Sequence, residues 1–94
     1  MSKAGYFEGR GAYGKIRAMS NRHRFRILEL AHDERLSISA LSSKLGLSYT
    51  KCADYVRVLE KEGLVSKTRA GREVLVKSLV TIKASGVYFA LKES

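Results

Sequence analysis

Ninety-four residues carry eighteen Lys and Arg against nine Asp and Glu, a formal net charge of +9 and a pI near 10.0, with 45% apolar content. A chain of this length builds one small core, so one domain is expected, and the single Cys52, with His23 and His32 lacking spaced partners, supplies neither an intrachain disulfide nor a metal site. No apolar run reaches the ~18 residues of a membrane span or forms a signal-peptide core, so the expected setting is cytoplasmic and nucleoid-associated, and the charge excess favours a polyanionic partner, nucleic acid first.

At the N-terminus, Gly9, Gly11 and Gly14 spell G-x-G-x-x-G, while Gly9 to Lys15 spell G-x-x-x-x-G-K. Both phosphate-binding signatures require a strand before, a helix behind and a parallel sheet around them. Residues 20–63 read instead as consecutive helices, and Ile16 stands where the second signature needs a Ser or Thr for magnesium. The glycines, interleaved with Arg10, Lys15, Arg17, Tyr6, Phe7 and Tyr13, read as a mobile basic arm over residues 1–19, ahead of a domain over residues 20–94.

From Asn21 to Asp33, Phe25, Leu28 and Ala31 recur at helical spacing, with Ile27 and Leu30 widening the stripe and Ser20 or Asn21 as cap. His32, near the end of that helix, suits its C-terminal dipole without any ligand. Ser37 then caps a short helix with Ile38, Leu41 and Leu45 on one face and Gly46 as its left-handed stop. Only Leu47 separates this stop from Ser48, which caps a third helix over residues 49–62 with Cys52, Val56 and Leu59 inward and Gly63 at its end. Its place in this stripe makes Cys52 a small buried hydrophobe rather than a redox sensor.

Beyond Gly63 the period changes, and "LVSKTRA" and "EVLVKSLVTI" flank Ala70, Gly71 and Arg72 as the strands of a hairpin. In the second strand Val74, Val76, Val80 and Ile82 should face the helices while Lys77 looks outward. The closing "ASGVYFALKES" places Val87 and Leu91 four apart, which predicts a short C-terminal helix.

Helix, helix, tight turn, helix and hairpin form an α+β winged helix-turn-helix. The segments "RHRFRILELA", "LSISALSSKLGLSYTKCADYVRVLEKEGLV" and "SKTRAGREVLVKSL", over roughly residues 20 to 82, resemble winged-helix transcriptional regulators of the ArsR and MarR type. "LSYTKCADYVRVLEKEGLV" is also similar to small archaeal chromatin-associated winged-helix proteins, whose long C-terminal dimerisation helix has no counterpart in this chain. The resemblance implies a homodimer bound to double-stranded DNA, with the helix of residues 49–62 in the major groove and the basic wing of residues 66–77 on the backbone or in the minor groove. It implies no catalytic group and no cofactor, and no small-molecule effector is identifiable.

The candidate DNA-binding residues follow from the outward face of the third helix: Tyr49, Thr50, Lys51, Ala53, Asp54 and Arg57, with Ser48 as a cap whose helix N-terminus can add a backbone contact to phosphate. Lys51 can donate to guanine O6 or N7, Thr50 to a base or phosphate, Ala53 can touch a thymine methyl and Arg57 suits a phosphate. Asp54 is expected to pair with Lys51 or Arg57. In the wing Lys67, Arg69 and Arg72 are the candidates, with Arg72 at the tip. Candidate dimer surfaces are the C-terminal segment, with Val87, Phe89 and Leu91 around Tyr88, and the N-terminal stretch with Tyr6, Phe7, Tyr13, Ile16 and Met19. A sequence-specific regulator is the expected function, and an architectural chromatin protein or an RNA-associated winged helix are the alternatives.

Overall fold

The computed structural model describes residues 9–83 and 86–88. Four helices come first in chain order: α1 (Gly9–Met19), α2 (Arg22–Leu30), α3 (Ile38–Leu45) and α4 (Tyr49–Lys61). Strand β1 (Leu36–Ser37) lies between α2 and α3, and β2 (Val65–Ala70) and β3 (Glu73–Ser78) follow α4. They form one antiparallel sheet in the order β1-β3-β2, with Leu36 opposite Val76 and Lys67 opposite the same residue on the other side.

The helix boundaries are set by local chemistry. Asn21, Ser37 and Ser48 sit in extended conformation and accept from the backbone N–H of Arg24, Ala40 and Lys51, at 3.0, 3.0 and 3.1 Å. Each bond satisfies an N–H left without a partner in the first turn, and such a cap contributes about 1 kcal/mol. Gly46 stops α3 at φ 69°, in the left-handed region that a side chain disfavours. The α3–α4 turn therefore needs only Gly46, Leu47 and Ser48.

The core gathers one stripe from every long element. Ile27, Leu28 and Ala31 from α2, Leu41 from α3, Cys52, Val56 and Leu59 from α4, and Val76 from β3 are fully inaccessible to solvent. Burying each large aliphatic side chain contributes about 1.5–3 kcal/mol, so these stripes fix how the helices lie against the sheet. Backbone bonds then fasten the root of the wing: the Ser78 N–H donates to Ala31 O and the Leu79 N–H to Leu64 O, both at 2.9 Å.

Four features differ from the sequence expectations. Residues 9–19 form a helix rather than a mobile arm: Ala18 and Met19 enter the core, and α1 packs on α2 and α4, which offsets the poor helix propensity of its glycines. Residues 1–8 lie outside the described residues. The expected long second wing strand ends at Ser78, whose Oγ accepts from Val80 N–H and donates to Val80 O, both at 3.0 Å. The alternation nevertheless persists through buried Val76, Ser78 and Val80.

The third difference is Lys77, expected to look outward from the wing; it turns back and its Nζ donates to the His32 carbonyl just past α2. A helix C-terminus leaves carbonyls without partners and carries partial negative charge, so it attracts a cation. Finally, a helix was expected to include residues 86–88, but Gly86–Tyr88 is a strand (β5) paired antiparallel with β4 (Thr81–Lys83), Val87 opposite Ile82. Val and Tyr favour strands, and a nearby partner strand outweighs the four-residue spacing of Val87 and Leu91. Leu91 lies outside the described residues.

Candidate nucleic-acid interface

Helix α4 is the element on which the site is built. Cys52, Val56 and Leu59 face inward with no solvent exposure, so a period of 3.6 residues turns Thr50, Asp54 and Arg57 to the opposite side, where all three are exposed. Tyr49, 49% exposed, stands at the free N-terminal end beside exposed Ser48. Ala53 is half-buried on the flank that leads to the wing. The Asp54 carboxylate accepts from Arg57 Nη1 at 2.9 Å, the pairing expected of this residue, which leaves the face with a neutralised pair beside Thr50.

The wing is tied to that face. Lys67 Nζ lies 3.1 Å from Glu60 Oε1, joining β2 to the flank of α4. Beyond this bridge Thr68, Arg69 and Ala70 are exposed, and the two-residue loop Gly71-Arg72 closes the hairpin between the paired Ala70 and Glu73, with Gly71 at φ 63°. A left-handed first loop residue matches the twist of a tight hairpin. Arg69 and Arg72 thus occupy the exposed end of a ribbon whose root is held in the core.

The opposite flank of α4 holds residues absent from the predicted site. Tyr55 is half-buried, with the His23 ring 5.6 Å from its centroid and the Arg24 guanidinium 5.7 Å from it. Lys51 Nζ lies 5.1 Å from the same centroid. The four-residue spacing of Lys51 and Tyr55 is visible in the sequence, but the approach of α2 that completes the cluster is not.

Burial pushes the Cys52 thiol pKa up, because the thiolate finds no water in the core. Among the described residues no group of His, Cys, Asp and Glu gathers that could hold a metal ion, and no helix is long and apolar enough to cross a membrane. The glycines of the phosphate-loop signatures run along α1 instead of rounding a strand-to-helix turn.

Two helices meeting at a three-residue turn, with a basic hairpin lashed beside the second, define a winged helix-turn-helix, a DNA-binding class. A family model described as winged helix-turn-helix DNA-binding matches residues 20–66, half of the chain, and the protein belongs to that family. The curated transcriptional activator HlyU of Vibrio cholerae is similar to it, 34% identical over 59 residues that span 63% of this chain and 55% of HlyU. The structure of reduced HlyU from the same organism superposes with a TM-score of 0.69 at 31% identity, covering 72% of each chain. A homodimeric winged helix-turn-helix domain, Mb0332 of Mycobacterium bovis, described as a possible ArsR-family regulator, shares the fold with a TM-score of 0.69 at 22% identity, over 72% of this chain and 63% of that one.

Proposed function

We propose that the protein is a sequence-specific, double-stranded-DNA-binding transcriptional regulator that reads DNA with α4 and grips the backbone or minor groove with its wing. The observation that carries this reading is the two-sided character of α4. Its inner stripe is fully buried while Thr50, Asp54 and Arg57 stand exposed in a row, with the wing cations fastened beside them through Lys67 and Glu60. A helix of about 10–12 Å diameter fills a major groove about 12 Å wide, so the N-terminal part of the outward side meets base edges while groups farther along it reach the phosphates. Tyr49, Thr50 and Ala53 are the base readers, Arg57 and the Ser48 turn hold phosphates, and Lys67, Arg69 and Arg72 follow the neighbouring backbone.

The protein acts without catalysis, as its family does, in the cytoplasm on nucleoid DNA, and the proposal includes no cofactor or small-molecule effector. It works as a homodimer whose two α4 helices enter half-sites about 34 Å apart. Supporting that symmetry are the homodimeric state of the Mycobacterium bovis relative and the exposure of Tyr13 and Ile16, 70% and 55%, on one side of α1. The segment of residues 1–19 serves as a basic accessory to the DNA-binding unit of residues 20–94. Selection of bound duplexes from a random pool tests the reading: an enriched palindrome is expected, whereas equal recovery of all sequences would replace it with an architectural role, and preference for structured RNA would move it to another class.

A further inference from the structure

We infer that Lys51, held by Tyr55 and backed by Arg24 and His23, is a DNA-backbone phosphate site on the flank of α4 opposite the wing, and not a reader of guanine. The inference rests on the proposed entry of α4 into a major groove. An N-terminal residue of a recognition helix has two destinations, the base edges ahead of it or the phosphate strand beside it. The structure separates them by direction. Lys51 Nζ is drawn sideways over the Tyr55 ring, 5.1 Å from its centroid, toward α2 and away from the row of Thr50, Asp54 and Arg57.

The helix nearly fills the groove, so a long side chain that reaches outward from its flank meets the sugar-phosphate wall. The wing stands along the other flank, joined to α4 by the bridge from Lys67 to Glu60. Lys51 and Lys67 therefore stand on opposite sides of one helix.

The charge around Lys51 points the same way. The Arg24 guanidinium lies 5.7 Å from the centroid of the same ring and is fixed by a 2.7 Å bond from its Nε to Ala18 O, while the His23 ring lies tilted by 31° against it with centroids 5.6 Å apart. Among the described residues Arg26 pairs with Glu29, Arg57 with Asp54 and Lys67 with Glu60, the His32 ring meets the Asp33 carboxylate, and none of these contacts involves Arg22, Arg24 or Lys51. Cations gathered around one aromatic ring without a paired carboxylate gain from the ring quadrupole but repel one another. An anion arriving at that place relieves the repulsion, and on a duplex the anion available beside the groove is a phosphate.

Tyr55 is then a positioning residue, acting through Lys51 and not by contact with DNA. Removing one phosphate contact lowers the slope of log affinity against log salt by about 0.9, which narrows the affinity ratio between 50 and 200 mM salt by roughly threefold. Lys51→Ala should show this change, with the same loss on the selected site and on random duplex. Tyr55→Phe should bind as the parent does. Tyr55→Leu should reproduce the slope change, and combining it with Lys51→Ala should add nothing further.

An unchanged slope for Lys51→Ala, with the loss confined to the selected site or to one base position within it, overturns the assignment and returns Lys51 to base readout. Because Lys51 is exposed, that variant keeps its fold even where Tyr55→Leu does not. A parent protein with no affinity for any duplex removes the proposed function itself and this inference with it. A parent that binds while Lys51→Ala alters sequence preference alone removes only the flank site.

Discussion

A single sulfur shows how position within α4 decides chemistry. Cys52 sits one residue from Lys51 and one from Ala53, yet it is fully buried and its thiol pKa is raised by loss of solvent. Reagents that need the thiolate are therefore expected to label native protein much more slowly than unfolded protein at neutral pH, in a thiol-titration time course. The same shift links to stability. The folded state retains a proton that the unfolded chain releases above about pH 8.5, so the stabilising contribution is complete below that pH and is lost as pH rises through the folded-state pKa. Denaturant melts should show stability falling in this alkaline window, and Cys52→Ala should remove that component while lowering stability by about 1 kcal/mol at neutral pH.

At the scale of elements, identical glycine substitutions are expected to have opposite signs. Gly11 lies within α1 and a methyl group there meets only Lys15 Nζ at 3.8 Å, so Gly11→Ala should stabilise the protein by up to about 1 kcal/mol through helix propensity. Gly46 has open space around it but a φ of 69°, so Gly46→Ala should cost about 1 kcal/mol through conformation alone. Thermal melts of both variants check the pair. This contrast also explains what was legible in the sequence. The caps Ser37 and Ser48, the stop at Gly46 and the inward stripe of Cys52, Val56 and Leu59 act within a few residues, so α3, α4 and the turn between them could be read directly. Helix α1 could not, because its glycines argue against a helix and the burial of Ala18 and Met19 against residues distant in sequence, which offsets them, is a tertiary effect. Strand β1 is two residues long and exists through its pairing with β3. The outward face of α4 was legible for the same local reason as its stripe, whereas Tyr55 acquires its neighbours from α2, far away in sequence.

For the molecule as a whole, a net charge of +9 should make the proposed affinity for DNA strongly dependent on salt. Arg69→Ala with Arg72→Ala should lower affinity for all duplexes alike and flatten the salt dependence by about 0.9 per lost phosphate contact, measured by fluorescence anisotropy at several salt concentrations. An unaltered slope would take the wing out of the interface. The hairpin that carries these arginines is clamped at its root, where Ser78 bonds to Ala31, Leu79 to Leu64 and Lys77 to His32. This makes it a lever with its fulcrum on α2. From Ser78 to Gly71 the chain advances roughly 23 Å at about 3.3 Å per residue, so a tilt of about 5° at the fulcrum sweeps the tip by about 2 Å. Such a sweep separates a made hydrogen bond from a broken one, so a small shift of α2, however caused, is delivered to Arg72 in amplified form.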